Sequence, residues 1–165
     1  MHYNYLLAIQ DLQPNTGKDK KNSIRQIVWK IRAKKVILAT GSIERPLTFN
    51  NNDRPGIMLA NSASKYLNGY GVNLGKKIVI FTNNDSAYQT AIDFHHHNIE
   101  ITAVVDVRNN IEGDLPKIVK KLGIKIYSRS IISNTTGRRK IKTAHIKKIN
   151  DNNVEVINCD LLCMS

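Results

Sequence analysis

An α/β fold with a Rossmann-like, three-layer arrangement is what this sequence predicts, and three observations carry that expectation. Lys77-Ile78-Val79-Ile80-Phe81 is a short apolar run of the kind that a strand covered on both faces requires. The tight turn Thr82-Asn83-Asn84-Asp85 follows it, then a helical segment over 86–97, then a second apolar run over 99–105 that ends in Asp106. Strand, helix and strand in that order make a βαβ unit, the element from which parallel sheets are built. Finally, Lys35-Val36-Ile37-Leu38-Ala39-Thr40-Gly41 is another apolar run closed by a glycine, where the missing Cβ lets a phosphate or ribose approach the main chain. The same residues also fit a plain strand ending in a glycine turn.

The remaining elements follow in chain order. Residues 3–12 and 24–33 have strand character, and the polar link 13–20 joins them as a hairpin. Alternation in Gln26-Ile27-Val28-Trp29-Lys30-Ile31-Arg32 sets one dry face. A third strand is expected over 36–39, then an irregular polar segment over 48–56. A helix over 60–70 has Leu59, Ala63, Tyr66 and Leu67 on one side, with glycines at 69 and 71 to end it. After the βαβ unit come a short helix over 114–122 and a strand over 123–127. Short strands around 130–134, 140–150 and 154–158 form a meander, and Leu161-Leu162-Cys163-Met164 is a closing apolar strand. The division expected is a partial dinucleotide-binding domain over 1–42 and an inserted Rossmann-like domain over 43–159. Residues 160–165 would return to the first domain.

Composition bounds the function. The chain has 165 residues, 41% hydrophobic and 23% charged, ordinary for a globular protein. No apolar run approaches the roughly 20 residues of a membrane helix. The N-terminal stretch lacks a basic leader, so a cytoplasmic location and no membrane partner are expected. The net charge of +12 raises nucleic-acid binding. The lysines and arginines are scattered among element ends, however, and no recognition motif accompanies them, so no nucleic-acid partner is expected. If 159–163 is a strand, Cys159 and Cys163 share a face roughly 13 Å apart at about 3.3 Å per residue, too far for a disulfide. They read as two buried reduced thiols. His95-His96-His97 point about 100° apart on a helix and cannot share one ion, so no metal site is expected.

In a nucleotide-binding βαβ unit the first turn carries G-x-G-x-x-G/A. The matching positions here are Thr82, Asn84 and Ala87, of which only the last conforms. Asn83, Asn84, Asp85 and Ser86 still make a credible turn into a helix N-terminus. Asp106, at the end of the second strand, stands where an acid accepts hydrogen bonds from a ribose. No catalytic acid, base or nucleophile is apparent.

Three stretches resemble one family: 39–46 (Ala39-Thr40-Gly41-Ser42-Ile43-Glu44-Arg45-Pro46), 51–60 (Asn51-Asn52-Asp53-Arg54-Pro55-Gly56-Ile57-Met58-Leu59-Ala60) and 81–88 (Phe81-Thr82-Asn83-Asn84-Asp85-Ser86-Ala87-Tyr88). Together they resemble the alpha subunits of heterotetrameric sarcosine oxidases, within the broader pyridine nucleotide-disulfide oxidoreductase class. The likeness runs from about Arg25 to Ser165. It implies an enzyme complex that oxidises sarcosine to glycine with oxygen, yielding peroxide and a formaldehyde-level one-carbon unit that tetrahydrofolate accepts. It also implies NAD in the alpha subunit, lined by Thr40, Gly41 and Ser42, with FAD in the beta subunit, FMN at the alpha–beta interface, and gamma and delta subunits as further partners. A glycine-rich phosphate loop before these residues and a folate-binding domain after them would complete such a subunit, so the sequence is expected to be a fragment, inactive alone. A related amine- or opine-oxidising complex, or a non-catalytic assembly module, would use the same fold.

Overall fold

The computed structural model describes residues 4–12 and 24–165, in two compact units that divide between Ser42 and Ile43. In the first unit, β1 (Asn4–Asp11) and β2 (Gln26–Ala33) pair antiparallel, in a register from Asn4 opposite Ala33 to Asp11 opposite Gln26. The expected hairpin pairing is present. Tyr3 and the connecting link 13–20 lie outside the described residues.

Two expectations fail in this unit. Residues 36–39 form no strand, and Ile37 and Leu38 are 90% and 82% exposed. An apolar run becomes a strand only by pairing, and among the described residues nothing pairs with it. Nor is one face of β2 dry, since Val28, Trp29 and Ile31 are all exposed. A two-stranded ribbon has no second layer of its own against which to bury a face.

The second unit is built on a five-stranded parallel sheet in the order β3 (Ile57–Leu59), β10 (Leu161–Met164), β4 (Lys77–Thr82), β5 (Glu100–Asp106), β6 (Ile126–Tyr127). Helices α1 (Ala60–Tyr70), α2 (Ser86–His96) and α3 (Asp114–Lys121) cover one face. The antiparallel meander β7 (Ser130–Thr136), β8 (Thr143–Lys148) and β9 (Val154–Asn158) covers the other. Side-chain alternation assigns the two cores. Ile78, Ile80, Leu161 and Cys163 pack with the helices, whereas Val79, Phe81, Leu162 and Met164 pack with the meander. A register shift at Ile78/Val79 opposite β5 explains why Ile101 and Val104, three apart, serve the same core.

The βαβ unit therefore stands where the sequence put it, within a three-layer α/β fold. β3 is an addition that the sequence pattern did not announce. Strand β10, expected to return to the first domain, instead lies between β3 and β4, hydrogen-bonded parallel to both. On α1, Ala60, Ala63 and Leu67 face the core, and Tyr66, expected beside them, is 47% exposed. Cys159 and Cys163 are buried free thiols. Burial, with the Asp160 charge nearby, pushes the Cys159 thiol up to about 12, and burial raises Cys163 further.

Candidate functional site

Strand order reverses between β4 and β10. The chain builds β5 and β6 outward on one side of β4, then returns to lay β10 on the other side. In open parallel sheets that reversal makes a crevice beyond the carboxyl ends of the strands, the usual place for a ligand. The β4–α2 turn and Ser165, which follows β10, meet there.

Side chains of the turn fill it. Asn84 Nδ2 donates to the Ser165 hydroxyl at 3.1 Å and to Asn83 Oδ1 at 3.1 Å. Asn84 Oδ1 accepts from the Ser86 amide at 3.0 Å and the Ser86 hydroxyl at 2.6 Å. The Asn84 amide donates to Thr82 Oγ1 at 3.0 Å, and the Asn83 amide to the Ser165 carbonyl at 3.2 Å. The backbone N–H groups of Asn83, Asn84 and Ser86 thus have internal acceptors, which leaves fewer of the turn's amides for an anion at this helix N-terminus.

Asp106 is equally occupied. Its Oδ1 accepts from the Arg108 amide at 2.8 Å and from Arg108 Nε at 3.1 Å. Its Oδ2 accepts from Arg108 Nη2 at 2.8 Å and from the Tyr88 hydroxyl at 2.8 Å. A carboxylate offers about four lone-pair positions, so none remains for a ribose hydroxyl. Arg108 Nη2 also reaches Asp85 Oδ1 at 2.8 Å, tying the acid of the turn to the acid of the strand end. Asp106 and Tyr88 are fully buried. Burial first, then the hydrogen bond to Asp106, drives the Tyr88 phenol well above its ordinary range, so it stays a donor. Contact with Asp106 and Asp85 holds Arg108 firmly charged.

The residues read from the sequence thus fall into two groups. Asn83, Asn84, Asp85, Ser86 and Asp106 come together at the strand reversal, in two sets of side chains hydrogen-bonded among themselves and to Ser165, Tyr88 and Arg108. Thr40, Gly41 and Ser42 lie in the first unit. Gly41 has φ +71°, a backbone conformation that favours glycine, and among the described residues no heavy atom beyond its two chain neighbours lies within 4 Å of where a Cβ would stand. The backbone at Gly41 is therefore open to approach from outside. Sequence reasoning missed Arg108 and Ser165 as members of the cluster, and saw Tyr88 only as part of a family signature. An Arg two residues beyond a strand-end Asp was the available clue for the first. Among the described residues no His, Cys, Asp and Glu are grouped to hold a metal ion, and no helix is long and apolar enough to cross a membrane.

No family model matches the chain. It is 41% identical over 133 residues to "Sarcosine oxidase subunit alpha" of Corynebacterium sp. (strain U-96), a match covering 80% of this chain and 14% of that protein. The protein of the same name from Rhizobium meliloti (strain 1021) is 31% identical over 158 residues, covering 96% of this chain and 15% of the relative. The chain therefore spans about one seventh of the length of these curated relatives. Among solved structures it is similar to the thioredoxin reductase of T. acidophilum, with a TM-score of 0.63 and 14% identity over 96% of this chain and 51% of that one. A FAD-dependent pyridine nucleotide-disulphide oxidoreductase from Desulfovibrio vulgaris gives a TM-score of 0.57 and 15% identity, over 83% of this chain and 36% of that one. These likenesses show the fold. Along the matched stretch the chain is a homologue of the sarcosine oxidase alpha subunits, on the fold of the pyridine nucleotide-disulfide oxidoreductases.

Proposed function

We propose that this chain forms part of the dinucleotide-binding region of a sarcosine oxidase alpha subunit, with NAD held against Thr40, Gly41 and Ser42 and not in the β4–α2 turn. The observation that carries the reading is a contrast on the same molecule. Gly41 is an open left-handed glycine, whereas in the turn from Thr82 to Ser86 the Asn83, Asn84 and Ser86 amides donate to the Ser165 carbonyl, Thr82 Oγ1 and Asn84 Oδ1, and Asn84 Nδ2 bridges the crevice to the Ser165 hydroxyl.

In this reading the complete enzyme takes sarcosine, oxygen and water to glycine, hydrogen peroxide and formaldehyde, or passes the one-carbon unit to tetrahydrofolate. FAD in the beta subunit and FMN at the alpha–beta interface supply the redox chemistry, and gamma and delta subunits complete the assembly. This chain contributes binding and scaffold and no acid or base, so the stretch alone is inactive. What supports it is the 31–41% identity to the alpha subunits across most of the chain.

The experiment is to co-express the full complex, release its nucleotides and identify them. Gly41→Val is expected to lose bound NAD, because a branched side chain is strained at positive φ and blocks close approach. Asn84→Ala is expected to keep it. The reverse pattern would move the site to the β4–α2 turn, and a complex without NAD or flavin would end the redox assignment. Turnover of another secondary amine in preference to sarcosine would indicate the related amine- or opine-oxidising complex. The filled turn favours a second reading for residues 43–165 by themselves: a Rossmann-like unit kept for assembly, without a nucleotide.

A further inference from the structure

A second concavity lies at the opposite end of the parallel sheet from the strand reversal, where β4 begins and the β9–β10 junction passes beneath the β7–β8 turn. It has a volume of about 410 Å³ and is lined by Lys76, Lys77, Lys140 and Lys142 around Ile141, Asn158, Cys159 and Asp160. That size falls in the range of small-molecule sites, about 300–1,000 Å³.

Its frame is fixed by main-chain bonds from four segments. The Asp160 amide donates to the Lys77 carbonyl at 2.9 Å, the Cys159 amide to the Lys142 carbonyl at 3.0 Å, and the Ile141 amide to the Pro55 carbonyl at 2.8 Å. The Asp160 carboxylate accepts from the Lys76 and Lys77 amides, with Oδ1 at 2.9 and 2.8 Å. The one acid lining the pocket is thereby committed to the backbone. Among the described residues the ion pairs join Arg108 to Asp85 and Asp106, Lys117 to Asp114, and Lys125 to Glu155. None includes the four lysines of this pocket, all of which are exposed.

Four lysines against the single Asp160 carboxylate leave the lining of this concavity with a net positive charge, which favours an anionic ligand over a neutral or cationic one. The floor is apolar, formed by Ile141, which is fully buried, and Cys159, 3% exposed. Lysine stems extend that apolar lining while the ammonium groups stay at the rim. We propose that this pocket binds a small organic polyanion, one with an apolar body and two or more carboxylate or phosphate groups. The site is independent of the Gly41 turn and of the redox assignment.

The test is calorimetric titration of the full-length subunit in its complex with citrate and with inorganic tripolyphosphate, in low and in physiological salt. Saturable binding at one site is expected. Lys140→Gln with Lys142→Gln should weaken it about tenfold for each ammonium group removed. Lys140→Arg with Lys142→Arg, which keeps the charge, should retain most of it, and this pair guards against a folding defect in the neutral variant. As a control, Lys117→Gln with Lys121→Gln on α3 should leave binding unchanged. No binding of either anion in low salt would overturn the proposal. So would equal weakening by the α3 variants, since that is the mark of a general response to net charge.

Discussion

Arg108 joins two carboxylates that would otherwise repel each other, and one of them, Asp106, is fully buried. Removing one partner from a buried pair leaves the other charge desolvated and unmatched, which costs about 3–5 kcal/mol. Arg108→Met is therefore expected to lower unfolding free energy by about 3 kcal/mol in urea titrations. Arg108→Lys should recover only part, because an ammonium cannot make the two-pronged contact of a guanidinium. A loss below about 1 kcal/mol for Arg108→Met would show that Asp106 finds water or another donor. Burial gives a separate pH signature. Cys159 and Tyr88 both have folded values raised above their unfolded ones, so the native state keeps protons that the unfolded chain releases. Their contribution is complete below about pH 8.5 and falls as pH rises, through Cys159 toward about 12 and through Tyr88 from about 10 upward. The urea midpoint should drop between pH 8 and pH 11, and a Cys159→Ala, Tyr88→Phe double variant should drop less. Equal drops in both proteins would assign the alkaline instability elsewhere.

Strand β10 shows how far local pattern goes and where it stops. Its four apolar residues read correctly as a strand, but pairing partners are a tertiary matter, and in the structure it runs between β3 and β4. The strands of the βαβ unit were legible as unbroken apolar runs, buried along nearly their whole length, and its helix as several turns with one buried side. Ile57–Leu59 is too short to show a period, and the apolar run at 36–39 shows strand composition without a partner. The turn at Thr82–Ser86 was visible as a departure from the glycine pattern. Its closure by Ser165, 81 residues from Asn84, was not, since no local signal announces a contact across the sheet. A central position makes a definite demand on packing. Leu162, fully buried, is expected to cost about 3 kcal/mol when changed to Ala. Val156→Ala on the exposed side of β9, where Val156 is 54% exposed, should stay within about 0.5 kcal/mol. Similar losses at both would be incompatible with a central β10.

At the scale of the whole molecule the two units differ in what they bury. Residues 43–165 enclose a core on each face of one sheet, from Ala60 and Phe94 on the helical side to Ile132 and Ile146 on the meander side. The ribbon in the first unit exposes Leu7, Ile9, Val28 and Trp29, each at least 50% accessible. An isolated two-stranded hairpin is marginal in water, because it cannot bury enough apolar surface to offset its chain entropy. Residues 43–165 expressed alone should therefore unfold in one cooperative transition, with a midpoint close to that of the same residues in the 165-residue chain. The longer chain should self-associate more at equal concentration, since an apolar ribbon is a template for further pairing. Thermal unfolding and sedimentation of the two proteins side by side give the answer. A gradual, probe-dependent melt of residues 43–165 would mean that the three-layer unit depends on the ribbon. A monomeric longer chain would mean that the apolar side chains of β1 and β2 are covered within it.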